Sequence, residues 1–113
     1  MKKCFTINCM RKDEDFDGFE KIIDENIYQG VELFYPYNVN AKQRTLYTKR
    51  CLKLRNEKQI EFVLHLPHGY NNDLINENNQ INDEVVKLML SAIDYASIFN
   101  VKKCTLHLGK YYD

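Results

Sequence analysis

Residues 60–69 read Ile-Glu-Phe-Val-Leu-His-Leu-Pro-His-Gly. The first seven are β-favouring and mostly apolar, and the proline that follows cannot continue a hydrogen-bonded ladder. We read Ile60 to Leu66 as a strand, closed by Pro67 and Gly69. Strand side chains alternate between faces, so Leu64 and Leu66 point one way, and Val63 and His65 the other. The motif returns near the end of the chain as Leu106-His107-Leu108, closed by Gly109. There, Lys103 to Leu108 reads as a strand with Leu106 and Leu108 on one face and Thr105 and His107 on the other. In both strands the leucines are expected against helices and the histidines on the opposite face.

Between and before these strands the apolar period switches to that of helices. From Asn82 the chain carries Val85, Leu88, Met89, Ala92, Ala96 and Phe99 as one stripe, with Asp83 and Glu84 in the first turn where they suit the helix dipole. Ala41 to Asn56 holds a weaker stripe of Tyr47, Cys51 and Leu54. Earlier still, Asp17 is placed to cap a helix from Gly18 to about Tyr28, with Phe19, Ile22, Ile23 and Ile27 inward and Gly30 as its stop. Lys3 to Asn8 and Val31 to Tyr35 complete the set of strands, and the Asn-rich stretch from Asn71 to Asn82 reads as a loop. The order is strand–helix repeated, ending on a fourth strand, with no hairpin signal. Parallel pairing through right-handed crossovers follows. The expected fold is α/β, a single domain over residues 1–113, formed of four (β/α) units that make the N-terminal half of a parallel barrel. A small doubly wound sheet with helices on both faces is the alternative.

Composition narrows the functional classes. Lys plus Arg and Asp plus Glu both number 16, so the formal net charge is zero. That balance offers no general attraction to nucleic acid or to an anionic membrane. No apolar run approaches the roughly 20 residues of a membrane span. No signal peptide is evident, and a cytoplasmic location is expected. The four cysteines, Cys4, Cys9, Cys51 and Cys104, have no C-x-x-C spacing. They are expected to be reduced, with Cys4, Cys51 and Cys104 as small core residues rather than zinc ligands.

Applied to all four strands, alternation collects Asn8, Glu32, His65 and His107 on one face near the C-terminal strand ends. Barrel enzymes assemble their sites at that rim. Imidazole is suited to such a place because it binds metals and moves protons near neutral pH. The plainer reading makes each a hydrogen-bonded interior side chain. His68, offset by Pro67 from the alternation, reads as an exposed turn residue, with sugar-phosphate binding as the alternative. Tyr35, Tyr37 and Tyr70 fall just past strand ends, where an aromatic ring can stack on a sugar.

The segments Gly30-Val31-Glu32-Leu33, His65-Leu66-Pro67 and Leu106-His107-Leu108-Gly109 resemble the xylose-isomerase-like barrel superfamily, within it the sugar phosphate isomerases and epimerases most closely. The metal-dependent endonucleases that act at abasic DNA sites are a related branch. The resemblance runs through nearly the whole chain and implies a TIM barrel of eight strands, of which four are present. It implies a divalent metal (Zn, Mn or Mg) held in the complete barrel by Glu, Asp, His and Glu of later strands, with no tight binding by this half. It also implies that His65, His107 and, near them, Glu32 line a pocket for a small sugar or sugar phosphate, to which the strand alternation adds Asn8. In the endonuclease branch His65 and His107 would instead be metal ligands.

Three functional expectations follow. The first is metal-assisted proton transfer on a sugar in the complete barrel, with this half alone inactive. The second is a fragment of an abasic-site endonuclease, for which the basic run Lys42 to Lys58 would face DNA; we read that run instead as a solvated helix face. The third is a non-catalytic half-barrel that joins a second copy or the missing half through its unpaired strand edges.

Overall fold

The structure, a computed structural model, describes residues 3–68 and 72–107. Tyr70, Leu108 and Gly109 lie outside these residues. The elements run β1 (Cys4–Ile7), α1 (Asp15–Asp24), β2 (Gly30–Phe34), α2 (Ala41–Lys58), β3 (Glu61–His65), α3 (Asp83–Ala96), a 3-10 turn (Ser97–Phe99) and β4 (Cys104–Thr105). The four strands form one sheet in the order β1-β2-β3-β4, and every pairing is parallel. The fold is therefore mixed α/β with an all-parallel sheet, as the alternating periodicities require.

Strand order and burial together locate the helices. Consecutive parallel strands joined by right-handed crossovers all moving in one direction put every helix on the same side. Ile7, Val31, Leu33, Phe62, Leu64 and Leu66 share one buried cluster with Phe16 of α1, Tyr47, Cys51 and Leu54 of α2, and Val85, Met89, Ala92 and Ala96 of α3. The alternate strand residues, Thr6, Glu32, Phe34, Val63 and His65, lie outside that cluster and are half-buried or exposed. Helices on both faces, the alternative architecture, are thus ruled out for the described residues. The shortest dimension of the molecule is 20 Å, the depth of one sheet and one helix layer.

Tyr47 joins the two layers. Its side chain is fully buried, and its hydroxyl donates to the carbonyl of Ile7 (2.6 Å) and accepts from the amide of Phe34 (3.0 Å). The phenol thus takes up one main-chain group from each strand at the C-terminal end of the β1–β2 ladder. On either side of this stripe, α2 is charged. Arg50 lies over the Phe16 ring (5.3 Å) and within 4 Å of carboxylate oxygens of Asp13, Asp17 and Glu20. Lys58 bonds Asp24 (2.8 Å), while Arg44 and Arg55 donate to the carbonyls of Pro36 and Phe99. Much of the basic run is therefore engaged with α1 and with loop carbonyls rather than simply solvated.

Several boundaries differ from the sequence reading. The first helix begins at Asp15, with the Asp15 carboxylate accepting from the Lys12 amide, so Asp17 lies inside it and is no cap. It ends at Asp24 because Asn26 turns left-handed (φ 57°), which leaves Ile27 outside the stripe and half exposed. Gly30 opens β2 instead of stopping a helix; the space where its Cβ would lie is taken by Cys4 Sγ, 2.5 Å away. Cys4 and Cys104 are exposed, so the core role falls to Cys51 and, unforeseen, Cys9. Leu106 is likewise 48% exposed and does not meet a helix. The Asn-rich loop contains a small antiparallel turn, Ile75 bridging Ile81, held by Asn76 through its main chain and its carboxamide.

Two outcomes are expected. Tyr47→Phe leaves the Ile7 carbonyl and Phe34 amide without their partner, and should cost about 1–3 kcal/mol in denaturant unfolding; unchanged stability would refute the role of the hydroxyl. Burial pushes the Cys51 thiol from 9.0 up to about 12 and the Tyr95 phenol from 10.0 up to about 12. Both groups stay neutral in the fold where the unfolded chain ionises, so stability is full below pH 9 and falls between pH 9 and 12. A flat unfolding free energy through that window would contradict this burial.

Candidate metal centre at the strand ends

The uncovered face of the sheet is built in rows. The parallel register aligns Thr6, Glu32 and Val63 in one row and Phe34, His65 and Thr105 in the next, towards the C-terminal ends. Glu32 sits mid-strand and accepts a hydrogen bond from Thr6 Oγ1 (3.2 Å). Its place is on the expected face but one row, roughly 7 Å, behind His65. Asn8 follows the last paired residue of β1, and its Oδ1 accepts from the Met10 amide (3.0 Å). That bond turns the chain into α1 and commits Asn8 to the loop, apart from the histidines.

His65 is held on three sides. Its ring stacks on Phe34, 4.9 Å between centroids. Its Nδ1 lies 2.9 Å from the Leu66 carbonyl oxygen, which can only accept, so Nδ1 carries the proton. The same Leu66 is fixed from the other side, its amide donating to the Thr105 carbonyl (3.0 Å). In the neutral ring this leaves the Nε2 lone pair of His65 free, and Nε2 faces Nε2 of His107 at 3.1 Å.

The third histidine was read from the sequence as an exposed turn residue, with ligand binding as the alternative. Pro67 is buried, and the His68 ring packs against the other two. Ring centroids are 4.5 Å apart for His65 and His68, 4.9 Å for His65 and His107, and 4.4 Å for His68 and His107. One nitrogen from each lies within 4.8 Å of the other two. Burial of its ring, then the neighbouring imidazoles, lower the pKa of His68 below its usual value, against the opposing pull of Asp73. The neutral, ligating form is favoured. The reading of His68 as an exposed turn residue holds for its exposure and misses its contacts. The signal available in the sequence was the His-x-Pro-His spacing, which sets a second imidazole three residues past the strand histidine.

The tyrosines divide. Tyr35 packs against Tyr95 and under the Arg44 guanidinium, a packing role. Tyr37 is exposed, its ring stacks on Tyr35 (6.1 Å between centroids) and its hydroxyl accepts from Asn72 Nδ2 (2.6 Å). A cleft of about 930 Å³ lies at the opposite, N-terminal end of the strands, lined among others by Cys4, Arg55, Gln59, Glu61, Phe99 and Lys103. None of the three histidines borders it, so the histidine cluster and this cleft are at different ends.

Comparison with known proteins adds no identity: no protein-family model, no curated protein and no solved structure matches the chain. No helix among the described residues is long and apolar enough to cross a membrane.

The Nδ1 contact of His65 gives a direct check. Ring-nitrogen NMR of the metal-free chain should find neutral His65 as the Nδ1–H tautomer. An Nε2–H tautomer would mean that the Leu66 carbonyl does not orient this ring.

Proposed function

We propose that the chain supplies the first four units of a metal-dependent barrel enzyme of the sugar phosphate isomerase or epimerase type. The observation that carries this reading is the convergence of three imidazoles at the C-terminal edge of an all-parallel sheet whose helices lie on one face only. The opposite face, with Thr6, Glu32, Phe34 and Val63, is then the inner wall below the site. Apolar side chains exposed on α3 (Leu90, Ile93) and at β4 (Leu106) are where further units would cover the structure.

The histidines fit the divalent metal that this reading implies. Two nitrogens on one zinc, each at 2.0–2.1 Å, lie about 3.4 Å apart in tetrahedral geometry, and Nε2 of His65 and His107 are 3.1 Å apart. When bound, the metal supplies Lewis-acid polarisation of a substrate oxygen. His65, set by Phe34 and the Leu66 carbonyl, would hold the metal from the strand. Glu32, one row deeper, accepts from a donor as it does from Thr6, and so orients a hydroxyl. The carboxylate bases that move the proton belong to later strands, so the chain by itself is expected to be inactive.

A second reading, a piece of an abasic-site endonuclease, is favoured by the histidines facing one another as ligands. The engagement of Arg44, Arg50, Arg55 and Lys58 within the fold weighs against a DNA-facing α2. A third, the self-associating half-barrel, draws on the single neighbour that β1 and β4 each have within the sheet.

One titration separates them. The zinc-loaded chain is followed by imidazole NMR as an aldose phosphate, a ketose phosphate and a short abasic duplex are added in turn. Shifts of His65 and His107 with the sugar phosphates are expected. A response to the duplex alone would transfer the assignment to the endonuclease reading, and no response to any of them would leave a non-catalytic module.

A further inference from the structure

The three-histidine cluster goes further than the resemblance that suggested a metal. That resemblance puts the ligands mainly on later strands and leaves this half without tight binding. The structure gathers three donors inside the half itself, and the third is a residue outside the strand pattern. An ordinary hydrogen bond accounts for two of them, since His107 Nε2–H can donate to His65 Nε2 at 3.1 Å. It does not account for His68, whose ring closes the triangle at 4.4 Å and 4.5 Å from its neighbours.

The donor set also selects the cation. All three groups are imidazoles, and among the described residues no carboxylate belongs to the cluster. Magnesium, calcium and manganese favour oxygen donors, whereas zinc, cobalt, nickel and copper accept imidazole readily. The supports around His65 are those of an oriented ligand: a carbonyl behind its Nδ1 and the Phe34 ring against its face.

We propose that His65, His68 and His107 form a self-sufficient three-imidazole site for a zinc-type divalent cation, complete within these four strand–helix units and with a remaining position for water or an anionic oxygen. It rests on the metal reading of the rim and adds the third ligand, the class of metal and independence from any later strand. Three protein ligands with one position left open is the arrangement of catalytic rather than structural zinc.

The test uses the chain as it is, with Cys4→Ser and Cys104→Ser in the parent so that exposed thiols do not contribute. Calorimetric titration with Zn²⁺ and absorption titration with Co²⁺ should both give one site per chain. A large excess of Mg²⁺ should displace neither. His65→Ala, His68→Ala and His107→Ala should each weaken Zn²⁺ binding by at least about tenfold, with circular dichroism reporting that the fold is kept. His68→Asn, a polar residue suited to the same exposed turn, repeats the His68 test independently of helix or strand propensity.

If both His68 variants bind Zn²⁺ like the parent while the other two do not, the three-ligand site is overturned and a rim metal on His65 and His107 survives. Displacement by Mg²⁺ overturns the metal class. If no histidine variant alters Zn²⁺ binding, or none occurs in the parent, both this site and the metal reading beneath it fall. The sugar-phosphate reading fails separately, through zinc-loaded chain that ignores every sugar phosphate.

Discussion

Everything at the strand ends depends on one phenol. Tyr47 reaches from the helix layer through the core and takes the Ile7 carbonyl and the Phe34 amide on a single hydroxyl. A buried main-chain group without a partner is costly, so the ends of β1 and β2 are pinned where the phenol lies. Phe34 is one of the two residues pinned, and its ring is the surface on which His65 stacks. The orientation of a proposed ligand therefore traces, through a single residue, to a helix on the far side of the sheet. Burial holds this phenol's pKa well above its usual value, so the hydroxyl keeps its proton and with it the donor half of the clasp.

The fold was legible because its strands obey a strict period of two. Phe62, Leu64 and Leu66 fall on one face, Val63 and His65 on the other, and burial follows that alternation. Helix α3 was as plain, since its stripe of Val85, Met89, Ala92 and Ala96 is uninterrupted. The ends of α1 were not, because they are decided by things a periodicity does not encode: a carboxylate reaching back to Lys12 and a left-handed Asn26. Helix α2 gave the faintest pattern, and the reason is now visible. Its charged faces turn to the acids of α1 and to loop carbonyls, so three apolar residues suffice to seat it.

At the site, what could be read was what the strands carry. His65, His107 and Glu32 fall on the uncovered face as alternation requires. Asn8, just past the end of β1, answers to the loop as well, and its carboxamide closes a turn. His68 was undervalued for the same physical cause with the opposite result. A residue beyond a strand has no face assigned to it, and here its ring packs on those of His65 and His107. Periodicity gives direction only while the period lasts.

The three loops at this end of the sheet are anchored in different ways. The carboxamide of Gln43, in the first turn of α2, donates to the carbonyls of both Cys9 and Arg11, while Arg44 grips Pro36, so the first two loops are fastened to one helix start. The turn from residue 74 to 82 carries bonds of its own: Asn76 donates its amide to Gln80 and accepts from Asn79, and the Asn82 amide returns to the Leu74 carbonyl. A turn with internal bonds of this kind behaves as a module. Its tip is a place where the chain can be lengthened or exchanged while the rows of the sheet stay as they are. In a lineage built on this scaffold, new specificity would be expected to arise there first, with the first two loops conserved as fixtures.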